Sequence, residues 1–235
     1  MPIWEKKRTW SNTSIELIGS SFGVLLDEEP LHTPKNTKVL LPTHKLAKKV
    51  AEEWNRQKKI IDPSKMPYSR LVNSAIDKVT KNFDSIVSDL VDYGDTDLVC
   101  YRSDSPEDLV MLQSQHWDPI LIWAKNELNI DLKVTYGINY KPQKTTELKR
   151  LSKEISSYSS FSLTGFYDLV TISGSLLVAL AVYYKHIPPQ VGFEISFLDE
   201  DWQRKKWGQD EESIKNRLNK FKEFQAAYRF LECLT

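Results

Sequence analysis

The spacing of apolar residues changes once, sharply, near Pro42. Before that point Ile15, Leu17, Ile18, Phe22, Val24, Leu25 and Leu26 crowd a stretch broken by Gly19 and Gly23, and residues 38–41 form a second short apolar run. Asp27-Glu28-Glu29-Pro30 is turn chemistry, and Pro30 and Pro34 forbid a continuous helix, so the pattern predicts short strands joined by tight turns. From Thr43, a side chain suited to capping, Leu46, Ala47, Val50, Ala51 and Trp54 recur every three or four residues. Lys45, Lys48, Lys49, Glu52 and Glu53 fall on the other faces, which predicts one amphipathic helix. The prolines of Asp62-Pro63-Ser64-Lys65-Met66-Pro67 then interrupt regular structure. They set the expected division: a β-rich domain with one helix over 1–62 and a mainly helical domain over 63–235.

Beyond that boundary the pattern predicts helices over 68–79 and 82–93, the second closed by Gly94. Leu98-Val99-Cys100-Tyr101 and Leu132-Lys133-Val134-Thr135-Tyr136 read as two short strands, near 97–101 and 131–136, able to pair. Ser105-Pro106-Glu107-Asp108 predicts a helix start, with a serine cap, proline at the first helical position and acids over the positive end of the dipole. Its inner stripe is expected at Leu109, Leu112, His116, Ile120, Ala124 and Leu128, with a bend at Pro119. Four further helices are expected near 144–157, 161–186, 189–207 and 210–232. The last carries Ile214, Leu218, Phe221, Gln225, Tyr228 and Leu231 on one stripe. The fold class is therefore α+β, a small β-rich N-terminal domain followed by a mainly helical one.

Charge narrows the function. The 235-residue chain carries 32 Lys plus Arg against 32 Asp plus Glu, a formal charge of zero. That balance argues against gripping phosphate backbones, so no nucleic-acid partner is expected. It also makes any large exposed apolar surface a liability unless that surface is occupied. Cys100 and Cys233 cannot build a disulfide framework and read as reduced thiols. The opening MPIWEKKRTW has neither the apolar core of a secretory leader nor the Arg/Ser bias of a transit peptide. Leu169 to Tyr184 runs 16 residues without a charge, short of the roughly 20 that span a bilayer. With Asp168 and Lys185 bounding it and a mean hydropathy of -0.44, a buried helix without membrane insertion is expected. A membrane-associated scaffold working through residues 161–186 is the alternative.

Catalytic motifs are sparse. There is no GxxxxGK[ST], GxGxxG, HExxH or EF-hand loop, and His32, His44, His116 and His186 lie far apart in sequence. His116 is expected to be an ordinary helix residue near Asp118. Gly19-Ser20-Ser21-Phe22-Gly23 matches GxSxG, but a nucleophile elbow needs a helix after the serine. Val24 to Pro30 reads instead as strand and turn, so a hairpin bend is expected and a serine hydrolase using Ser21 is the competing reading. Paired acids such as Glu28/Glu29 and Asp210/Glu211/Glu212 are ordinary solvated caps. No catalytic, cofactor-binding or metal-binding residue is expected. The densest feature is residues 198–212, where Trp202 and Trp207 sit in an acid–base–acid order. Its structural reading turns Trp202 inward, lets Arg204, Lys205, Lys206 and Gly208 close one helix and has Asp210 cap the next. Its functional reading is a protein-binding surface, since tryptophans with charged neighbours are typical interface anchors.

Leu25-Leu26-Asp27, Pro30-Leu31, Thr33-Pro34, Leu40-Leu41-Pro42-Thr43 and Glu53-Trp54 resemble, in order, the assembly chaperone family of F-type ATP synthase that holds the α subunit. So do Ile61-Asp62-Pro63, Met66-Pro67, Asn73-Ser74-Ala75-Ile76-Asp77, Asp97-Leu98, Cys100-Tyr101, Trp117-Asp118-Pro119 and Ser173-Gly174-Ser175. Asp199-Glu200-Asp201-Trp202-Gln203 with Trp207-Gly208 completes the resemblance, which covers nearly the whole chain. It is similar to the bacterial form, no presequence preceding Trp4, and this implies a cytoplasmic location, or the mitochondrial matrix for a eukaryotic mature form. The resemblance implies a monomeric, non-enzymatic protein without cofactor. Such a protein binds new α subunit, shields its β-facing surface and releases it as the α/β hexamer forms. It implies a β-rich N-terminal domain and a C-terminal orthogonal helical bundle. It places the family's important acidic position at Glu200-Asp201, and its Glu-Trp tryptophan at Trp54. Glu200 and Asp201 are then expected to supply orienting charge, flanked by Trp202 or Trp207. Trp54 is expected to pack in the core or meet the partner.

Overall fold

Gly19 adopts φ +62° at the first of two loop positions between β1 (Thr13–Ile18) and β2 (Ser21–Leu26), a backbone that favours glycine and suits a tight hairpin. The computed structural model describes residues 7–137, 139–208 and 210–235. β1 and β2 pair antiparallel from Thr13 opposite Leu26 to Ile18 opposite Ser21. β2 also pairs with β3 (Glu29–Pro30) and β4 (Leu40–Leu41), giving a four-stranded antiparallel sheet. Ser21 opens β2 and no helix follows it, so the GxSxG match is a hairpin and the hydrolase reading loses its structural basis.

α1 (His44–Asn55) covers this sheet. Thr43 Oγ1 accepts the Leu46 N–H at 3.1 Å and caps the helix. Leu46, Ala47, Val50 and Ala51 are buried in one cluster with Val24, Leu31, Val39 and Leu41. α2 (Pro67–Ser74) adds Leu71 and Val72, and the end of the chain adds Phe230 and Cys233. Full burial of one such Leu, Val or Phe side chain is worth roughly 1.5–3 kcal/mol, which makes this shared cluster the main source of cohesion here. The Thr43 hydroxyl also donates to the Cys233 carbonyl, tying the capped helix start to the chain end. Asp77, in a short π-helical turn over Ala75–Val79, accepts from Thr33 Oγ1 at 2.8 Å and the Lys35 N–H at 3.2 Å.

By compactness the chain divides into two units. One comprises the described residues through Phe83 with Ser159–Gly165 and Arg229–Thr235; the other comprises Asp84–Tyr158 and Phe166–Tyr228. The remaining helices are α3 (Phe83–Asp95), α4 (Glu107–Leu128), α5 (Thr145–Ser156), α6 (Ser160–Ser173), α7 (Leu176–Tyr183), α8 (Pro189–Ser196), α9 (Leu198–Trp207) and α10 (Glu211–Glu232). The architecture is α+β, a small N-terminal sheet region followed by a mostly helical remainder.

α7 is the core of the second unit: Leu176 through Val182 are all buried, and the helix packs on α4 and α8. The expected helix over 161–186 is broken by Gly174 at φ +68° into α6 and α7, of 14 and 8 residues. Ser175 Oγ accepts the Val178 N–H at 3.0 Å and restarts the chain as α7. Among the described residues no helix is long and apolar enough to cross a membrane. Phe197, at φ -112° and ψ 22°, likewise separates α8 from α9 where one helix over 189–207 is expected.

Two further expectations shift. In α4 the buried positions include Gln113, Trp117 and Trp123, while His116 is exposed. The Trp117 indole has more apolar area to hide than an imidazole, and its Nε1–H donates to the Ile195 carbonyl at 2.8 Å, which sets the phase of the stripe. The strand expected from Leu98 begins at Tyr101, because the Asp97 carboxylate takes the Val99 N–H at 3.1 Å and coils Leu98–Cys100 into a 3₁₀ turn. β5 (Tyr101–Arg102) and β6 (Thr135–Tyr136) then pair in parallel.

Candidate protein-interaction surface

The α9 sequence is matched to its own dipole. Asp199, Glu200 and Asp201 occupy the first turn, Arg204, Lys205 and Lys206 the last, and Gly208 at φ +86° lets the chain leave. The three acids nevertheless have different surroundings. Asp199 accepts from Gln113 Nε2 at 2.8 Å, and burial raises its pKa against that bond. Glu200 is exposed. Asp201 is shared by two guanidinium groups, those of Arg204 and Arg217.

The tryptophans divide the same way. Trp202 is half-buried, donates from Nε1 to Asp108 Oδ2 at 3.2 Å and lies 5.3 Å beneath the Lys206 ammonium. Lys206 also pairs with Asp108 at 3.0 Å, and this bond is the main reason the Asp108 pKa is lowered. Trp207 meets Trp202 edge to face at 5.9 Å and is 75% exposed. The structure thus brings Glu200, Asp201, Trp202 and Trp207 onto one short helix, with Trp202 partly committed to packing and Trp207 presented outward.

Clefts flank this helix. One of 390 Å³ is lined by Phe197, Glu200, Arg204, Trp207, Arg217 and Lys220 among others. A second of 280 Å³ shares Arg204 and Arg217 and is walled by Phe193, Phe221, Ile214 and Leu218. Arg217 stacks over both Phe193 and Phe197 at 5.1 Å, and Lys220 lies over Phe197 at 5.2 Å. Ile214 and Leu218, expected on the inner stripe of α10, are 45% and 50% exposed. Burial on α10 instead begins with Phe224, Ala227 and Phe230. Sequence reasoning missed Arg217; its only signal is its place four residues before Phe221, one helical turn along.

Trp54 belongs to the first unit. It is half-buried, tilts against Trp10 at 5.1 Å and lines a 420 Å³ cleft with Pro34, Ile61 and Met66. Its neighbour Glu53 was also missed. Glu53 is buried and accepts from the Tyr68 N–H at 2.8 Å, the Ser69 N–H at 2.7 Å and Ser69 Oγ at 2.7 Å. These bonds anchor α1 to the start of α2, although burial still raises the carboxyl pKa. Among the described residues no group of three His, Cys, Asp or Glu side chains could hold a metal ion.

Comparison with known proteins identifies the family. Residues 7–125 match the model of the ATP12 chaperone protein family. The fold matches the crystal structure of Atp12 from Paracoccus denitrificans with a TM-score of 0.95 and 39% identity, covering 99% of this chain and 100% of that one. A variant of the same Paracoccus protein, with one aspartate changed to lysine, matches at a TM-score of 0.94 and 39% identity over 97% and 98% of the two chains. The Atu1473 protein of Agrobacterium tumefaciens matches at 0.93 and 31% identity, over 97% of this chain and 86% of that one. With half of its length matching the family model and an Atp12 crystal structure matching end to end, the chain belongs to the ATP12 chaperone family.

Proposed function

We propose that this chaperone binds the unassembled α subunit of the F-type ATP synthase catalytic head and shields its β-facing surface until the hexamer forms. The observation that carries the reading is the end-to-end match to Atp12 from Paracoccus denitrificans. The α9 surface supports it. An unassembled subunit exposes an interface resembling a core cut in half, which aggregates unless covered. Covering it takes outward apolar groups, here Trp207, Ile214 and Leu218, within a charged rim. Glu200, Asp201, Trp202 and Trp207 form the partner-binding surface in this reading, with the exposed Glu200 as the free charge that sets orientation and Asp201 held by Arg204 and Arg217 beside it. Trp54 serves structure or a second contact. The protein acts as a cytoplasmic monomer, performs no reaction of its own and releases its client by exchange. Co-expression with tagged α and β subunits separately, followed by pull-down, tests this. Retention on α and not on β is expected; retention on β alone, or on neither, overturns it.

A further inference from the structure

We infer that Asp108, on α4, is the positioning residue of the α9 surface: its carboxylate holds Trp202 and Lys206 and so fixes the angle at which the Trp202–Trp207 pair meets a partner. This rests on the α-subunit reading above and adds to it a residue outside α9. From sequence Asp108 is only an acid over the positive end of the α4 dipole. In the structure its two oxygens serve different helices. Oδ1 accepts the Leu109 N–H at 3.1 Å, within α4. Oδ2 accepts from Trp202 Nε1 at 3.2 Å and pairs with Lys206 Nζ at 3.0 Å, both on α9.

α9 needs such a tie. Among its residues Leu198 alone is buried, so apolar packing fixes the first turn and leaves the remainder to polar contacts. Asp199 on Gln113 holds that first turn as well, and Asp201 on Arg217 holds the side toward α10. For Trp202 and Lys206 the tie is Asp108. Lys206 lies 5.3 Å over the Trp202 ring and Trp207 meets that ring edge to face at 5.9 Å, so a shift of Trp202 passes to the outward Trp207. Each exposed bond is weak by itself. Their convergence on one oxygen makes the loss of this carboxylate larger than the loss of either partner.

The exciton couplet of the Trp202–Trp207 pair in circular dichroism, assigned by its loss in Trp207→Phe, reads the geometry in the free protein. Asp108 is exposed, so Asp108→Ala is expected to leave the melting temperature unchanged while most of that couplet disappears. Binding of the isolated α subunit should weaken about three- to tenfold. Asp108→Asn, which keeps an acceptor for Trp202 but no charge for Lys206, should fall between Asp108→Ala and wild type in both readouts. In a Trp202→Ala background, Asp108→Ala should add less than about a twofold loss, because its action runs through Trp202. An unchanged couplet, or an undiminished affinity, in Asp108→Ala overturns the inference and leaves the α-subunit reading intact. So does a full additional loss in the Trp202→Ala background, which makes Asp108 a direct contact. Absence of binding by wild type overturns the α-subunit reading, and the couplet then still decides whether Asp108 holds the pair.

Discussion

Replacing Asp97 with asparagine removes one ionisable group from the start of α7 while keeping its shape. In the native protein Asp97 is 0% exposed and accepts from Ser175 Oγ at 2.6 Å, the Leu177 N–H at 2.9 Å and the Val99 N–H at 3.1 Å. Burial outweighs those bonds and raises its pKa from 3.8 to about 6. The folded state therefore holds the proton more tightly than the unfolded chain does. The stability this group contributes is complete below pH 3.8 and is lost as pH rises through about 6. At about 1.4 kcal/mol per pH unit, the interval between the two values caps the change at about 3 kcal/mol. Urea unfolding of wild type and Asp97→Asn, followed by circular dichroism from about pH 4 to about pH 7.5, isolates the effect, because every other titrating group is common to both. The stability difference should move toward the variant by about 1–3 kcal/mol as pH rises. A difference constant to within about 0.5 kcal/mol across that range refutes the buried-carboxylate argument.

Three further outcomes are expected. Glu53→Gln turns an amide N–H₂ toward the donors of Tyr68 and Ser69, and should cost about 1–3 kcal/mol in urea unfolding; a loss under about 0.5 kcal/mol contradicts the anchoring role. Gly174→Ala meets open space but keeps φ at +68°, so strain alone should cost about 1–2 kcal/mol; an unchanged Tm contradicts it. Trp207→Ala should leave stability within about 0.5 kcal/mol because the side chain is 75% exposed. Affinity for the α subunit should fall at least about tenfold; unaltered affinity removes Trp207 from the binding surface.

The first hairpin and α1 were legible because their determinants are local: a glycine at the loop, a capping threonine, and apolar residues at helical spacing. Glu53 was hidden by its charge, although it continues the Leu46–Val50 stripe and precedes Gln57, itself buried, by four residues. The adjacent Trp54, the apolar member of the pair, is half-buried against Trp10. The breaks at Gly174 and Phe197 left no mark in the apolar pattern, since hydrophobic residues continue on both sides. At Gly174 the new start is fixed by Asp97, 78 positions from Ser175 in sequence. The α10 stripe shows the converse: its periodicity runs through Ile214 and Leu218, but the core beneath it does not, and the same pattern becomes surface. Sequence alone names the residues of α9 without showing that two of its three acids are already engaged.

In the proposed function the chaperone covers the surface of the α subunit that the β subunit later takes. Purified chaperone–α complex, mixed with a stoichiometric amount of β subunit and resolved by size-exclusion chromatography, tests that claim directly. Free chaperone is expected to elute apart from an α–β assembly. A stable species holding all three proteins contradicts it.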